Sequence, residues 1–247
     1  MLKAIPSLEP RTGDPSPPQT MGKGLPQWWK TGVFTPQRNP GEPGPGSIAL
    51  RPVVRAIPFP EPKRWSSIAS SEDGSKLAAV AQLAGVYTSD DFGVTWIDRS
   101  AAGDAQGNPI YGRKYWRSIA SSEDGSKLAA VAAEANGGVF TSDDFGVNWI
   151  DRSAAGGAGN PISGTKNWRS IASSDNGERL AAVVGHGVVG HGGGIYTSEN
   201  SGETWAHQSS AGNRNWQSIA SSSDGNKLAA AANGGWIVTG VAQESSP

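Results

Sequence analysis

A chain of 247 residues with 34 glycines, 17 prolines and no cysteine has room for one large or two small turn-rich β domains, with no disulfide, thiolate nucleophile or thiolate metal ligand. Its formal charge of -1 supplies no general attraction to nucleic acid or anionic lipid. No stretch is apolar enough for a membrane span or a signal-peptide core, so the chain is expected to be soluble and not exported by that route, in a virion or a cytoplasmic complex.

The first 64 residues hold nine Lys/Arg against four Asp/Glu and fourteen of the prolines, whereas the remainder holds twelve against eighteen. Two regions of different physics are joined here. Residues 1–46 read as an extended arm, because "EPRTGDPSPPQT" and "TPQRNPGEPGPG" are too rich in proline and glycine for a packed core. Within it, "LPQWWK" places Trp28 and Trp29 beside Lys30. Two adjacent indoles are costly to leave in water, so these three residues are the candidate partner-binding group, with the chain's own β domain as the alternative surface for them. "GVFT" at 32–35 matches residues 138–141, a four-residue match that chance also explains.

From Trp65 the chain repeats itself. "WSSIASSEDGSKLAAVA" returns with small changes at Trp116, Trp168 and Trp216, at spacings of 51, 52 and 48 residues. A second block follows each: "GVYTSDDFGVTW", "GVFTSDDFGVNW", "GGIYTSENSGETW" and the shorter "GGWIVTG". In each unit "WxSIASS" predicts a first strand by alternation, and the Asp-Gly turn after it predicts a hairpin. "KLAAVA" suits a second strand buried on both faces, "GVYTS" a third, and "TWIDRS" a fourth. Four antiparallel strands in about fifty residues are the size of one propeller blade. The expected fold is all-β: a small propeller of four blades of four antiparallel strands over residues 47–247. The last unit stops before its fourth strand. A strand within 47–59 is expected to close the ring, although Pro52 and Pro58 restrict it to an edge. A ring completed by a neighbouring chain and a three-fold trefoil are the alternatives.

Between the third and fourth strands three copies of one motif recur: Ser89, Asp91, Gly93, Thr95, Trp96; then Ser142, Asp144, Gly146, Asn148, Trp149; then Ser198, Asn200, Gly202, Thr204, Trp205. The pattern S-x-D-x-G-x-T-W resembles the Asp-box of the sialidase-like, BNR-repeat propeller families. The resemblance implies a hairpin in which a short polar side chain accepts backbone N–H groups, glycine supplies positive φ and tryptophan covers the apolar side. The exchange of Asp91 for Asn200 suits a turn better than a metal site, and the "SEDGSK" turns lack the ligand density of a calcium loop.

Sialidases share that box, so a glycoside hydrolase is the enzymatic alternative. "VRAIPF" at 54–59 matches that family's arginine motif only loosely, and the recurring Arg99 with Arg152 and Arg117 with Arg169 occupy equivalent repeat positions, which favours scaffold roles. No carboxylate pair at a defined separation is readable. His186 and His191 lie in a glycine-rich insertion, "VVGHGVVGHGGG", that lacks both further metal ligands and a P-loop ending, and His207 has no triad partner at motif spacing. No catalytic, metal or cofactor residue is therefore assigned. The expectation is a non-enzymatic interaction subunit, with other protein subunits held through the arm. The repeat resembles domains of virion and appendage proteins, and also the BNR-type propellers that assist photosystem assembly. A lectin-like propeller is the remaining alternative: Trp65, Trp116, Trp168 and Trp216 would have to face solvent to stack on a glycan.

Overall fold

The structure, a computed structural model, describes residues 61–100, 110–134, 137–154, 160–186 and 193–241. The arm with Trp28, Trp29 and Lys30, the candidate closing strand at 47–59 and His191 lie outside the described residues.

Among the described residues, fifteen strands form four separate antiparallel sheets, each a meander in chain order. The first blade is β1 (Arg64–Ser70), β2 (Leu77–Gln82), β3 (Gly85–Ser89) and β4 (Ile97–Asp98). The second is β5 (Tyr115–Ser121), β6 (Leu128–Ala133), β7 (Gly138–Ser142) and β8 (Ile150–Asp151). The third is β9 (Trp168–Ser173), β10 (Leu180–Val184), β11 (Gly194–Ser198) and β12 (Ala206–His207). The fourth blade has three strands among the described residues, β13 (Trp216–Ser221), β14 (Lys227–Ala232) and β15 (Trp236–Val241). Among the described residues the helical content is one 3-10 turn, Ser209–Ala211. The fourth strands are shorter than the sequence pattern suggests, with two paired residues each in place of a run through "TWIDRS".

Each blade begins in the same way for a local reason. After the first strand, the Ser71 hydroxyl donates to Asp73 (2.7 Å) and accepts from the Lys76 N–H (3.0 Å), Asp73 accepts from the Ser75 N–H (2.9 Å), and Gly74 takes φ +75°. Ser122 with Asp124, Ser174 with Asn176 and Ser222 with Asp224 repeat the arrangement. Side chains thus satisfy the donors that a tight turn leaves over. The run that follows is buried on both faces, as "LAAVA" suggests: in the second blade all six residues of β6 are buried.

The core lies between blades, because one face of each sheet packs on the opposite face of the next. Ala78, Val80 and Val86 of the first blade meet Trp116, Ile119, Leu128 and Phe140 of the second. Ala129, Val131 and Val139 then meet Trp168, Ile171 and Tyr196, and Ala181, Val183 and Ile195 meet Trp216 and Ile219. Alanines in the second strand let the sheets approach, and the blade-start tryptophan fills the space beside them. Each of the first three such indoles stands edge-on to an aromatic ring of its own third strand, with centroids 5.3 Å apart: Trp65 to Tyr87, Trp116 to Phe140 and Trp168 to Tyr196.

Candidate interaction surfaces

The three S-x-D/N-x-G-x-T/N-W stretches form one kind of turn, placed between the third and fourth strands of blades one to three. In the first, the Ser89 hydroxyl accepts from the Gly93 N–H (2.9 Å), and Asp91 accepts from the Thr95 N–H (2.8 Å) and hydroxyl (2.6 Å). The Trp96 indole N–H closes the turn on the Gly93 carbonyl (3.1 Å). Ser142, Asp144, Gly146, Asn148 and Trp149 make the corresponding bonds, as do Ser198, Asn200, Gly202, Thr204 and Trp205. Asn200 needs no charge to serve, because a carbonyl oxygen accepts the same N–H at 2.9 Å.

These turns also join blades. A Cβ on Gly146 would stand 3.3 Å from Thr88 of the preceding blade, and one on Gly202 would stand 2.9 Å from Thr141. The recurring arginines hold the seat: Arg99 donates to the Thr88 hydroxyl (2.7 Å) and Arg152 to Thr141 (2.7 Å), with Gln208 doing the same to Thr197 (2.7 Å) in blade three. The fourth blade has no turn of this kind among the described residues, and the corresponding seat opens into a groove of about 640 Å³ lined by Leu180, Thr197, Gln208, Leu228 and Thr239.

At the other hairpin the turns after the first strands bond to one another. The Glu72 N–H donates to the Glu123 carbonyl (2.8 Å), the Glu123 N–H to Asp175 (2.7 Å), and the Asp175 N–H to Ser223 (2.8 Å). The result is a rigid row that carries Glu72, Glu123 and Asp175 in succession. Glu123 is held above the ordinary carboxylate range by its hydrogen bond to the Glu72 carboxyl, then by repulsion from Glu72 and Asp175. The aspartates that organise the turns behave in the opposite way. Asp91 is held down to about 2 by the Thr95 hydroxyl and N–H, Asp124 by Ser122 and Ser126, and Asp224 by Ser222 and Asn226.

Trp116, Trp168 and Trp216 are completely buried, while Trp65 is 41% exposed. Three of the four indoles considered for glycan stacking therefore serve inter-blade packing. His207 stacks on Tyr196 with centroids 4.9 Å apart, and the His186 N–H donates to Asn215 (3.0 Å). Among the described residues no three His, Asp or Glu side chains converge as a metal-ligand set, and no helix is long and apolar enough to cross a membrane. Arg117 and Arg169 are half-buried, and their Nε atoms have no hydrogen-bond partner.

Sequence reasoning missed three features. Ile110 and Ile162, fully buried, enter the cores between blades one and two and between two and three; the repeated "GNPI" before each was the readable signal. Lysines two residues before the blade-start tryptophan lie over the same third-strand aromatics, as with Lys114 over Phe140 (5.2 Å) and Lys166 over Tyr196 (5.7 Å). The row of turns was invisible because its bonds join residues about fifty positions apart.

No protein-family model matches the sequence, and a search of curated proteins found no match. Among solved structures the chain is similar to YCF48 bound to a D1 peptide, with 19% identity and a TM-score of 0.46 over 74% of this chain and 56% of that one. It is similar to a chain of the nidogen/laminin complex at 13% identity and TM-score 0.48, covering 68% and 55%. It is also similar to the GH74 enzyme of Niastella koreensis at 17% and 0.47, covering 68% and 26%. The chain spans less than two thirds of the length of each.

Proposed function

We propose that this protein is a non-enzymatic interaction platform: a stiff row of propeller blades that serves as a subunit of a larger assembly, either a virion or a cellular complex, and belongs among the Asp-box propellers. The observation that carries this reading is the commitment of the repeated polar groups to architecture. Asp91, Asp124 and Asp224 are ionised and bonded within their own turns, which suits them to fixing loops and not to donating a proton near neutral pH. Arg99 and Arg152 are spent on Thr88 and Thr141. What this scaffold offers outward is the backbone-bonded edge bearing Glu72, Glu123 and Asp175, whose negative charge fits a basic segment of a protein partner.

The test is charge reversal of that edge in the full chain, Glu72→Lys with Glu123→Lys, followed by capture of partners from the native extract. The reading predicts an unchanged circular dichroism spectrum and loss of the captured protein at physiological salt. Capture that is indifferent to reversal would remove the acidic edge from the account. Turnover of a glycoside substrate by the purified chain would overturn the non-enzymatic reading.

A further inference from the structure

The blade row has two ends, and they carry matching halves of the contact that the chain makes three times within itself. In each internal contact a serine of one blade accepts from an isoleucine N–H of the next: Ser67 from Ile119, Ser118 from Ile171 and Ser170 from Ile219, all at 3.3 Å. The equivalent serine of blade four, Ser218, and the equivalent isoleucine of blade one, Ile68, have no such partner among the described residues. The row of turns ends in the same way, with the Ser223 N–H at one end and the Glu72 carbonyl at the other. Cations complete the pattern. Lys76 lies against Gly125 and donates to the Asp124 carbonyl (2.9 Å), Lys127 lies against Gly177, and Arg179 lies against Gly225. Their counterpart in blade four is the exposed Lys227, and the counterpart glycine, Gly74, has nothing near its Cβ position.

Exposure of the apolar residues agrees. Ile68 is 63% exposed where Ile119, Ile171 and Ile219 are buried, and Ile237 is 77% exposed where Val86, Val139 and Ile195 are buried. Among the described residues, the two ends of one chain therefore do not cover each other. We propose that a second copy of this chain does so: blade four of each copy seats on blade one of the other, closing a two-fold pair with two identical head-to-tail contacts.

Charge and size both fit this occupant. Lys227 would meet the acidic turn of Glu72 and Asp73, as Lys76 meets the turn of Glu123 and Asp124. Strands of five to seven residues in a sheet three to four strands wide give a face of about 20 Å by 15–19 Å, roughly 350 Å². Two contacts remove four such faces from water, about 1,400 Å², which is within the range of stable specific interfaces, whereas one contact alone falls short of it. The pairing and the platform reading share one residue, Glu72, which ends the row of turns; Glu123→Lys alone therefore tests the outward edge and leaves the pairing contact intact.

The absence of native cysteines permits a direct test on the full chain. Glu72→Cys with Ser223→Cys places one thiol at each end of the row. Their equivalents, residues 72 and 123, share a backbone hydrogen bond of 2.8 Å, which brings the Cα atoms within disulfide reach. The control, Glu72→Cys with Glu123→Cys, should therefore form an intrachain bond. The expected results are a covalent dimer of the test variant on a non-reducing gel, and light scattering of the cysteine-free protein at about twice 25.5 kDa. Ile68→Glu should return that mass to a single copy without loss of the β spectrum. A single-copy mass at every concentration would overturn the proposal, as would an intrachain bond in the test variant. A ladder of ever larger products would overturn the closed pair.

Discussion

Gly202 and Gly164 separate two reasons for a glycine. Both take positive φ, +85° and +77°, so an alanine at either position pays the left-handed backbone cost of about 1 kcal/mol. Beyond that they differ. A Cβ at Gly164 meets nothing within 4 Å, whereas one at Gly202 stands 2.9 Å from the Thr141 methyl of the preceding blade and 3.4 Å from Leu180. Overlap of this kind in a packed contact adds about 1–3 kcal/mol. Gly164→Ala should therefore cost about 1 kcal/mol and Gly202→Ala about 2–4 kcal/mol, read from urea midpoints at unchanged m. Thr141→Ser removes the opposing methyl but keeps the hydroxyl that accepts from Arg152, so it should recover most of the excess in the Gly202→Ala background and none in the Gly164→Ala background. Equal losses at the two glycines, or no recovery with Thr141→Ser, would refute the claim that these turns are seated on the neighbouring blade.

Other expectations follow from the same geometry. Ile110→Ala empties a fully buried site between blades one and two and should cost about 2–5 kcal/mol, with a lower thermal midpoint in calorimetry. Gly85→Ala places a methyl against the Ser100 hydroxyl that accepts from the Val86 N–H (2.7 Å), so it should destabilise by more than about 2 kcal/mol, whereas Gly234→Ala, with an open surround, should cost about 1 kcal/mol in the same urea series. The pH profile has two parts. Asp91, Asp124 and Asp224 have folded-state values near 2 against an ordinary 3.8, so their stabilisation is complete above about pH 4–5 and is lost as pH falls toward 2. Glu123 is shifted upward by Glu72; its repulsion is present at neutral pH and is relieved as protons bind, so Glu123→Gln should flatten any gain in thermal midpoint on mild acidification.

Much of the blade was legible because its signals are local. The Asp91 and Asn200 turns close within four residues, the Asp73 turn within two, and "LAAVA" announces a strand buried on both faces. The tryptophans at 116, 168 and 216 followed from their regular spacing. What stayed hidden depends on distant pairing. Ile119 and Ile68 occupy the same motif, yet one is buried and the other 63% exposed, since among the described residues only the first has a blade before it. Trp236 shows the same limit. It stands in the register of Gly85 and Gly138, where the hydroxyl of Ser100 or Ser153, just after the fourth strand, fills the space in blades one and two; blade four has no such serine among the described residues, and there the indole is exposed under Arg214.

The central claim is that this chain works by holding another protein. Cross-linking mass spectrometry of the native extract or particle tests it most directly, through the links formed by Lys3, Lys23 and Lys30 of the arm and by Lys76 and Lys127 beside the acidic edge. The account predicts reproducible links from both groups to one other protein. Links confined to this chain, in an extract where it is abundant and folded, would contradict it.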